Sequence, residues 1–366
     1  MSKTILAVLV FSVILYVASF SFYNRNTNDG NISKSNIEVS VSPTLTPKIE
    51  PSLKSAPVQK ILETDYHVFQ TFNNCGPAAL SMVLRFYDID VSQEELGLSI
   101  RPYQNTLGIN DDKSVTLAEL AEKSKEYGLV PYHRPNGNIE IIKNLINYDM
   151  PILTRTWTKV NEDIGHYRVV KGYDENTKEV IQDDSLQGKD LRYSYDEFNA
   201  LWEKFNFEYL VLVPNDKIEI VEMILAENAL ESKAWQNAVS ISRQKLINNP
   251  NDVYMRFNLA VALYNTGDYQ GAVTEYEKIS NSLPFRTLWY QIEPILAYYK
   301  IESYDKVMKT SQTIFDSQNP SYSELYFLRG SVLDKQNEPI KSQEEFSKAT
   351  SYNTSSYWKA NLKNIQ

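Results

Sequence analysis

Cysteine and histidine are scarce in this chain. Its 366 residues include one cysteine, Cys75, and three histidines. A single cysteine excludes an intramolecular disulfide and any Cys-rich zinc or iron–sulfur site, and so few histidines argue against a His-rich metal centre. We therefore expect neither a metal nor another cofactor.

A surplus of positive charge is also absent. The chain has 37 Lys and Arg residues against 46 Asp and Glu residues, a formal net charge of -9. Without basic residues in excess to neutralise phosphates, a dedicated nucleic-acid binder is not expected. With 12 glycines and 42% hydrophobic residues, the chain is neither collagen-like nor of low complexity. Its length suffices for two or three domains, each with its own core.

The longest uncharged run lies at the N-terminus, where residues 4–23 separate Lys3 from Arg25. As a helix this run would be about 30 Å long, which matches the hydrocarbon core of a bilayer. We predict a signal-anchor, or transmembrane, helix within residues 1–23; a cleaved secretory signal is the alternative. The short preceding segment favours an N-terminus inside, with the rest of the chain outside the cytoplasm.

A polar segment follows this run. Residues 24–58 are rich in Asn, Ser, Thr, Lys and Pro, and they contain no aromatic residue. Such a composition cannot bury enough apolar surface to offset the entropy lost on ordering. We predict a disordered linker between the anchor and the first folded domain.

Residues 59–215 combine helical and strand-like patterns. We predict helices from about Pro77 to Tyr87, from a cap at Ser114 or Thr116 to Tyr127, over residues 138–148 and over residues 195–202. Strands are predicted at residues 152–156, 166–173, 179–182 and 208–213. Helices first and an antiparallel sheet afterwards are typical of an α+β domain.

Cys75 immediately precedes the helix that contains Pro77. A free thiol has a pKa of about 8.5 and is mostly protonated at neutral pH. A helix N-terminus and a neighbouring imidazolium both lower that pKa. Cys75 is therefore a candidate nucleophile, although a lone cysteine is more often a small buried hydrophobic residue.

His166 begins a predicted strand, and the next strand ends at Asp183 and Asp184. An imidazole there could accept the thiol proton and return it to a leaving amine. Adjacent residues of a strand point to opposite faces, so only one of the two carboxylates could orient the ring. Gln70 offers a side-chain N–H to a developing oxyanion. Taken singly, these residues also fit an edge-strand histidine, an acidic turn and a surface glutamine.

Three segments in this order resemble motifs of the peptidase C39-like (papain-like cysteine protease) domains. They are residues 70–84 (QTFNNCGPAALSMVL), residues 165–174 (GHYRVVKGYD) and residues 183–185 (DDS) with the following 193–198 (YSYDEF). The resemblance covers roughly residues 60–213. It implies a papain-like α+β fold, here over residues 59–215, and hydrolysis of peptide bonds.

The resemblance also implies roles for individual residues. Cys75 would be the nucleophile, His166 the general base and acid, and Gln70 the oxyanion donor. An aspartate would orient the histidine, and we favour Asp184 over Asp183 because Asp184-Ser185 stands where the family often has Asp-Pro. The transporter-linked members often have Asp before the cysteine, where this chain has Asn74, so a bacteriocin leader as substrate is not implied.

Residues 217–366 contain an internal repeat. The segments 233–238 and 267–272 match at an offset of 34 residues, as do Pro250 and Pro284. This period, with Ala262, Gly267 and Ala272 in place, resembles tetratricopeptide (TPR) repeats, which are stacked helix pairs. The resemblance implies an all-α solenoid of about four units.

Such a solenoid presents a groove that binds a peptide or a partner protein. Six aromatic residues could line it: Trp289, Tyr290, Tyr298, Tyr299, Tyr326 and Phe327. Aromatic residues at helical spacing are more often core, however, so we assign no binding residue. Of the remaining histidines, we expect His67 at the surface or the cleft and His133 in a structural position.

We expect a membrane-anchored cysteine peptidase whose repeats recruit a substrate or partner. Two alternatives stay open. One is a non-catalytic tethered scaffold that only binds peptides, and the other is a thiol amidase that acts on cell-wall peptides.

Overall fold

The structure, a computed structural model, describes residues 53–101, 115–317, 319–363 and 365. The predicted anchor helix and most of the predicted linker lie outside the described residues. Within the described ranges, no helix is both long and apolar enough to cross a bilayer. The described residues divide into a sheet region up to residue 217 and a helical region after it.

Seven antiparallel strands of the described residues form one sheet. They are β1 (Gln59–Ile61), β2 (Val130–Arg134), β3 (Ile152–Trp157), β4 (Gly165–Asp174), β5 (Glu179–Asp184), β6 (Gly188–Ser194) and β7 (Tyr209–Val213). The order is β2-β7-β3-β4-β5-β6, with β1 paired to the end of β4. The four predicted strands are present as β3, β4, β5 and β7, and a short strand expected from the sequence before His133 is β2, which includes His133. The sequence pattern missed β1 and β6 because β1 has three residues and β6 is largely exposed and polar.

The described part of the sheet region contains five α-helices. They are α1 (Cys75–Phe86), α2 (Gln93–Ile100), α3 (Leu117–Ser124), α4 (Ile139–Asn147) and α5 (Tyr195–Trp202). The cap of α3 is Thr116, which forms a capping box with Glu119. A 3-10 turn extends α3 to Tyr127, and Gly128, at a φ of 76°, ends it in the left-handed conformation.

Helices cover both faces of the sheet, as β7 shows. Leu210 and Leu212 of this strand pack in one core with α1 and α3. Val211 and Val213 point the other way and pack in a second core with α4 and α5. A strand buried on both faces is a continuous apolar run, and β7 has the sequence YLVLV.

The helical region consists of consecutive helices joined by short turns. They are α6 (Ile218–Leu225), α7 (Glu231–Asn248), α8 (Val253–Asn265), α9 (Tyr269–Glu277), the four-residue α10 (Thr287–Tyr290), α11 (Glu293–Lys300), α12 (Tyr304–Asp316), α13 (Ser323–Lys335) and α14 (Pro339–Tyr352). Asp252 and Asp268 cap α8 and α9 through their side chains. The apolar faces of α7 to α14 share one core, in which Ala260, Ala262 and Ala272 are fully buried.

Hydrogen bonds join the two regions. The side-chain amide of Asn258 on α8 donates to the carbonyl of Glu203 at 2.6 Å and accepts from the backbone N–H of Asn206 at 3.3 Å. The hydroxyl of Thr116 donates to the side chain of Asn361, which lies near the C-terminus, at 2.5 Å. The described chain from residue 53 onward is accordingly one compact unit rather than two separate bodies.

Replacement of Asn258 tests this single unit. Asn258 is 1% exposed, so Asn258→Ala leaves a buried carbonyl and a buried N–H without their partner. We expect a loss of about 1–3 kcal/mol in the free energy of unfolding, measured by denaturant titration. Tryptophan fluorescence and circular dichroism should give coincident transitions. The exposed Asn251→Ala is the control, and a loss of the same size in both variants would contradict the assigned role.

Candidate active site

Cys75 is the first residue of α1, and it is 5% exposed. Its backbone N–H lies at the positive end of the helix dipole, where negative charge is favoured. Its thiol interacts with the ring of His166, which is the second residue of β4. The structure thus brings together two side chains that are 91 positions apart in the sequence.

A buried glutamine holds the segment before Cys75 in place. The side chain of Gln93 accepts from the backbone N–H of Thr71 at 2.9 Å and donates to the carbonyl of Phe69 at 2.7 Å. The side chain of Asn74 donates to the Thr71 hydroxyl at 2.7 Å. These bonds fix the turn that aims Cys75, and the sequence motif gave no indication of Gln93.

The second ring nitrogen of His166 meets a carboxylate. Nε2 of His166 lies 2.8 Å from Oδ1 of Asp184, the last residue of β5. Because Nε2 is taken by Asp184, Nδ1 is left for the thiol of Cys75. The side chains of Cys75, His166 and Asp184 therefore lie in series, with the ring between the thiol and the carboxylate.

The two adjacent aspartates have different partners. Asp184 accepts from the backbone N–H groups of Leu186 at 2.7 Å and Gln187 at 2.9 Å, and from Arg168 at 2.9 Å. Asp183 instead pairs with Lys171 at 2.9 Å. Of the two candidates, Asp184 is the one in contact with His166.

Arg168 is fully buried beside this aspartate. Its guanidinium also donates to the carbonyls of Trp157 at 2.7 Å and Thr158 at 2.8 Å and to the hydroxyl of Thr156. A buried guanidinium with all these partners holds both the carboxylate and the end of β3 in position.

The pKa shifts of Cys75, His166 and Asp184 all favour the charged forms of these side chains. Burial acts to lower the pKa of His166, but hydrogen bonds to Asp184 and Cys75 raise it to about 9. Burial acts to raise the pKa of Asp184, but the bond to His166 and the charges nearby lower it to about 2. At neutral pH the ring is therefore an imidazolium and the carboxyl group a carboxylate.

The thiol follows the same balance. Burial acts to raise the pKa of Cys75, and the hydrogen bond and charge of His166 outweigh it, so that the pKa is lowered. Arg155 and Arg101 add to this effect through their charges. Neither arginine was identified from the sequence. The available signal was the charge of Arg155 inside the apolar strand predicted at residues 152–156, because a charged side chain that is buried needs hydrogen-bonding or charged partners.

Gln70 lies next to the turn that follows β5. Its backbone N–H donates to the carbonyl of Ser185 at 2.8 Å, and its Oε1 accepts from the Ser185 hydroxyl at 2.9 Å. This fixes the amide so that the Nε2 hydrogens are left to donate elsewhere. The arrangement suits the donor expected of Gln70.

The helical region also reaches this site. The hydroxyl of Tyr290, the last residue of α10, is hydrogen-bonded to the backbone of Gly165, and its carbonyl accepts from Arg155 at 3.2 Å. A side chain at Gly165 would come within 3.2 Å of the Tyr290 ring, so glycine allows this close approach. Arg286 pairs with Asp163, two residues before β4, at 3.2 Å.

The other two histidines, His67 and His133, are not part of the series of Cys75, His166 and Asp184. His67 approaches the backbone carbonyl of Asp184 at 3.0 Å, which places it beside the site. His133 pairs with Glu208 at 2.7 Å. In the described ranges, no group of three or more His, Cys, Asp or Glu side chains could hold a metal ion.

Titration of His166 tests the charge balance. Its bond to Asp184 raises its pKa, so the imidazolium should persist up to about pH 9 and be lost above it. Asp184→Asn removes the carboxylate charge, and the midpoint should fall towards about 6.5. The measurement is an NMR titration of the three histidine rings. Asp183→Asn is the control; an equal fall in that variant, or no fall in Asp184→Asn, would contradict the assignment.

Comparisons with known proteins point to the sheet region. The family model of the Peptidase_C39 like family matches residues 58–210. A comparison with curated proteins gave no match.

Among solved structures, a C39-like peptidase from Bacillus anthracis is 17% identical, covers 43% of this chain and 98% of its own, and has a TM-score of 0.35. The peptidase domain of Streptococcus ComA, a bi-functional ABC transporter of a quorum-sensing pathway, is 20% identical over 40% of this chain and 97% of its own, with a TM-score of 0.33. MamA AMB-1 is 12% identical over 37% of this chain and 89% of its own, with a TM-score of 0.29. The sheet region is thus similar, over residues 58–210, to the Peptidase_C39 like family.

Proposed function

We propose that the chain is a cysteine peptidase that hydrolyses peptide bonds through Cys75, His166 and Asp184. The observation that carries the proposal is the series of these three side chains at the N-terminus of α1, with the His166 ring between the thiol and the carboxylate. A buried thiol, imidazole and carboxylate in series are what an activated nucleophile needs. The match of residues 58–210 to the C39-like family supports it.

The first half of the reaction forms a thioester. The Cys75 thiolate attacks the carbonyl carbon of the scissile peptide bond, and the carbonyl oxygen becomes an oxyanion. Gln70 Nε2 and the backbone N–H at the beginning of α1 would donate to that oxyanion. The His166 imidazolium gives its proton to the leaving amine, the C–N bond breaks, and the acyl group stays on sulfur.

The second half releases the acyl group. His166, now neutral, accepts a proton from water, and the hydroxide oxygen attacks the thioester carbon. The C–S bond breaks, the carboxylic acid leaves, and the thiolate–imidazolium pair is restored. Throughout, Asp184 keeps the ring orientation and stabilises the imidazolium, as its two backbone N–H partners and Arg168 keep it ionised.

The remaining parts of the proposal concern location and partners. We propose that residues 1–23 anchor the chain in a membrane with the peptidase outside the cytoplasm, because the run of residues 4–23 is uncharged and long enough to span a bilayer. We also propose that the helical region is a TPR module that binds a protein substrate or partner, on the basis of the 34-residue period.

A peptide-library digest tests the activity. The purified chain should cleave a subset of peptides, read by mass spectrometry, and Cys75→Ala should lose this cleavage while it keeps the wild-type circular dichroism spectrum. Equal cleavage by both proteins would overturn the proposal. So would a wild-type chain that is alkylated at Cys75 but leaves every peptide intact, a result that favours an amidase or a scaffold.

Gln70 gives a second prediction. Gln70→Ala removes an oxyanion donor, so kcat should fall by about 10²–10³ with KM little changed. Kinetics with a cleaved peptide from the library measure this split. The exposed Gln270→Ala is the matched control and should retain wild-type kcat. A loss confined to KM would show that Gln70 binds substrate and does not stabilise the transition state.

A further inference from the structure

A cavity of about 410 Å³ lies where the sheet and helical regions meet. Its wall includes Arg155 and Glu208 from the sheet region, and Trp235, Gln291 and Glu293 from the helical region. Gln70, Cys75, His166 and Asp184 do not line it, although Arg155 and Tyr290, which lie close to them, do. The volume is that of a pocket for a small ligand.

Two polar atoms in this wall are buried without a partner. Gln291 is 5% exposed, and its Nε2 makes no hydrogen bond among the described residues. Oε2 of Glu293, two residues further on, is also buried and also makes none. Buried polar groups cost free energy unless they are paired. The Gln291 amide and the Glu293 carboxyl group, whose residues both line the cavity, are therefore available to a polar ligand.

Glu293 also differs from the other acidic residues of the wall. Glu208 pairs with His133 at 2.7 Å, and Glu231 pairs with Lys363 at 3.2 Å. Burial, followed by the charge of Glu208, raises the pKa of Glu293 to about 8. The charge of Arg155, also in the wall, acts in the opposite direction but does not outweigh burial. A ligand that carries a positive charge would therefore stabilise the ionised form of this carboxyl group.

The aromatic part of the wall suits the same kind of ligand. The rings of Trp235, Tyr264 and Tyr322 line the cavity. Aromatic faces attract cations, and an ammonium group beside a carboxylate gains from both. The neighbouring Gln291 amide donates to a carbonyl or carboxylate oxygen.

We propose that this cavity binds an amino acid or a short peptide, with Glu293 accepting from its α-ammonium group and Gln291 donating to its neighbouring carbonyl oxygen. The site is separate from Cys75, so it goes beyond the proposed function. Binding needs no hydrolysis and stands or falls independently of it.

Calorimetric titration of the full chain tests the proposal. The background is Cys75→Ala, so that no probe is consumed, and the probes are alanine, alanyl-alanine and N-acetyl-alanyl-alanine. We expect alanine or alanyl-alanine to bind, and the acetylated dipeptide, which lacks the ammonium group, to bind at least about tenfold more weakly. Equal binding of the two dipeptides, or no binding of any probe, would overturn the proposal.

Variants locate the binding. Glu293→Gln keeps the shape of the side chain but cannot ionise beside a bound ammonium group, and it should weaken binding of the probe at least about tenfold. Glu219→Gln, an exposed glutamate on α6, is the matched control and should leave binding unchanged. Binding that survives Glu293→Gln would place the probe elsewhere, for example at the cleft of Cys75, and would also overturn the proposal.

Discussion

The site depends on keeping two opposite charges, a thiolate and an imidazolium, in a region that water scarcely reaches. Cys75 and His166 are both nearly fully buried, and burial alone would neutralise each of them. The interaction between the two side chains, together with the hydrogen bond from His166 to Asp184, outweighs the cost of burying their charges. Arg168 and two backbone N–H groups keep Asp184 ionised, so residues of the sheet also stabilise the thiolate–imidazolium pair.

The same electrostatic requirement links the two regions of the molecule. Arg155 favours the thiolate, and its guanidinium lies over the rings of Tyr167, Phe205 and Tyr290. Tyr290 comes from the helical region and also bonds to Gly165, the residue before His166. The helical region therefore forms part of the surroundings of the site, in addition to any role in recruiting a protein. The cavity next to Arg155 is a consequence of the same packing.

Several features could be predicted because they depend on local sequence. The cap of α3, Thr116, was one of two candidates, and the helix predicted from residue 138 is α4, which Asn138 caps. The left-handed Gly128 and the apolar run of β7 also act over a few residues, and their elements lie where expected. Helix α2 and strand β6 were missed. Helix α2 has a weak apolar face whose main role is to bring Gln93 under the turn before Cys75. Strand β6 is polar and is stabilised by its backbone pairing with β5, which its own sequence does not indicate.

The sequence by itself determined most of the helices and strands, the helix N-terminus at Cys75 and the candidate reactive side chains, since these follow from residue type, short-range periodicity and motif resemblance. Only the tertiary structure decided which aspartate meets His166. Asp183 and Asp184 point to opposite faces of the sheet, and the register of β4 with β5 decides which of them lies on the same face as His166. It also decided that Arg155, Arg168, Gln93 and Tyr290 surround the site. These residues come from segments far apart in the chain, and no local pattern records that packing brings them together.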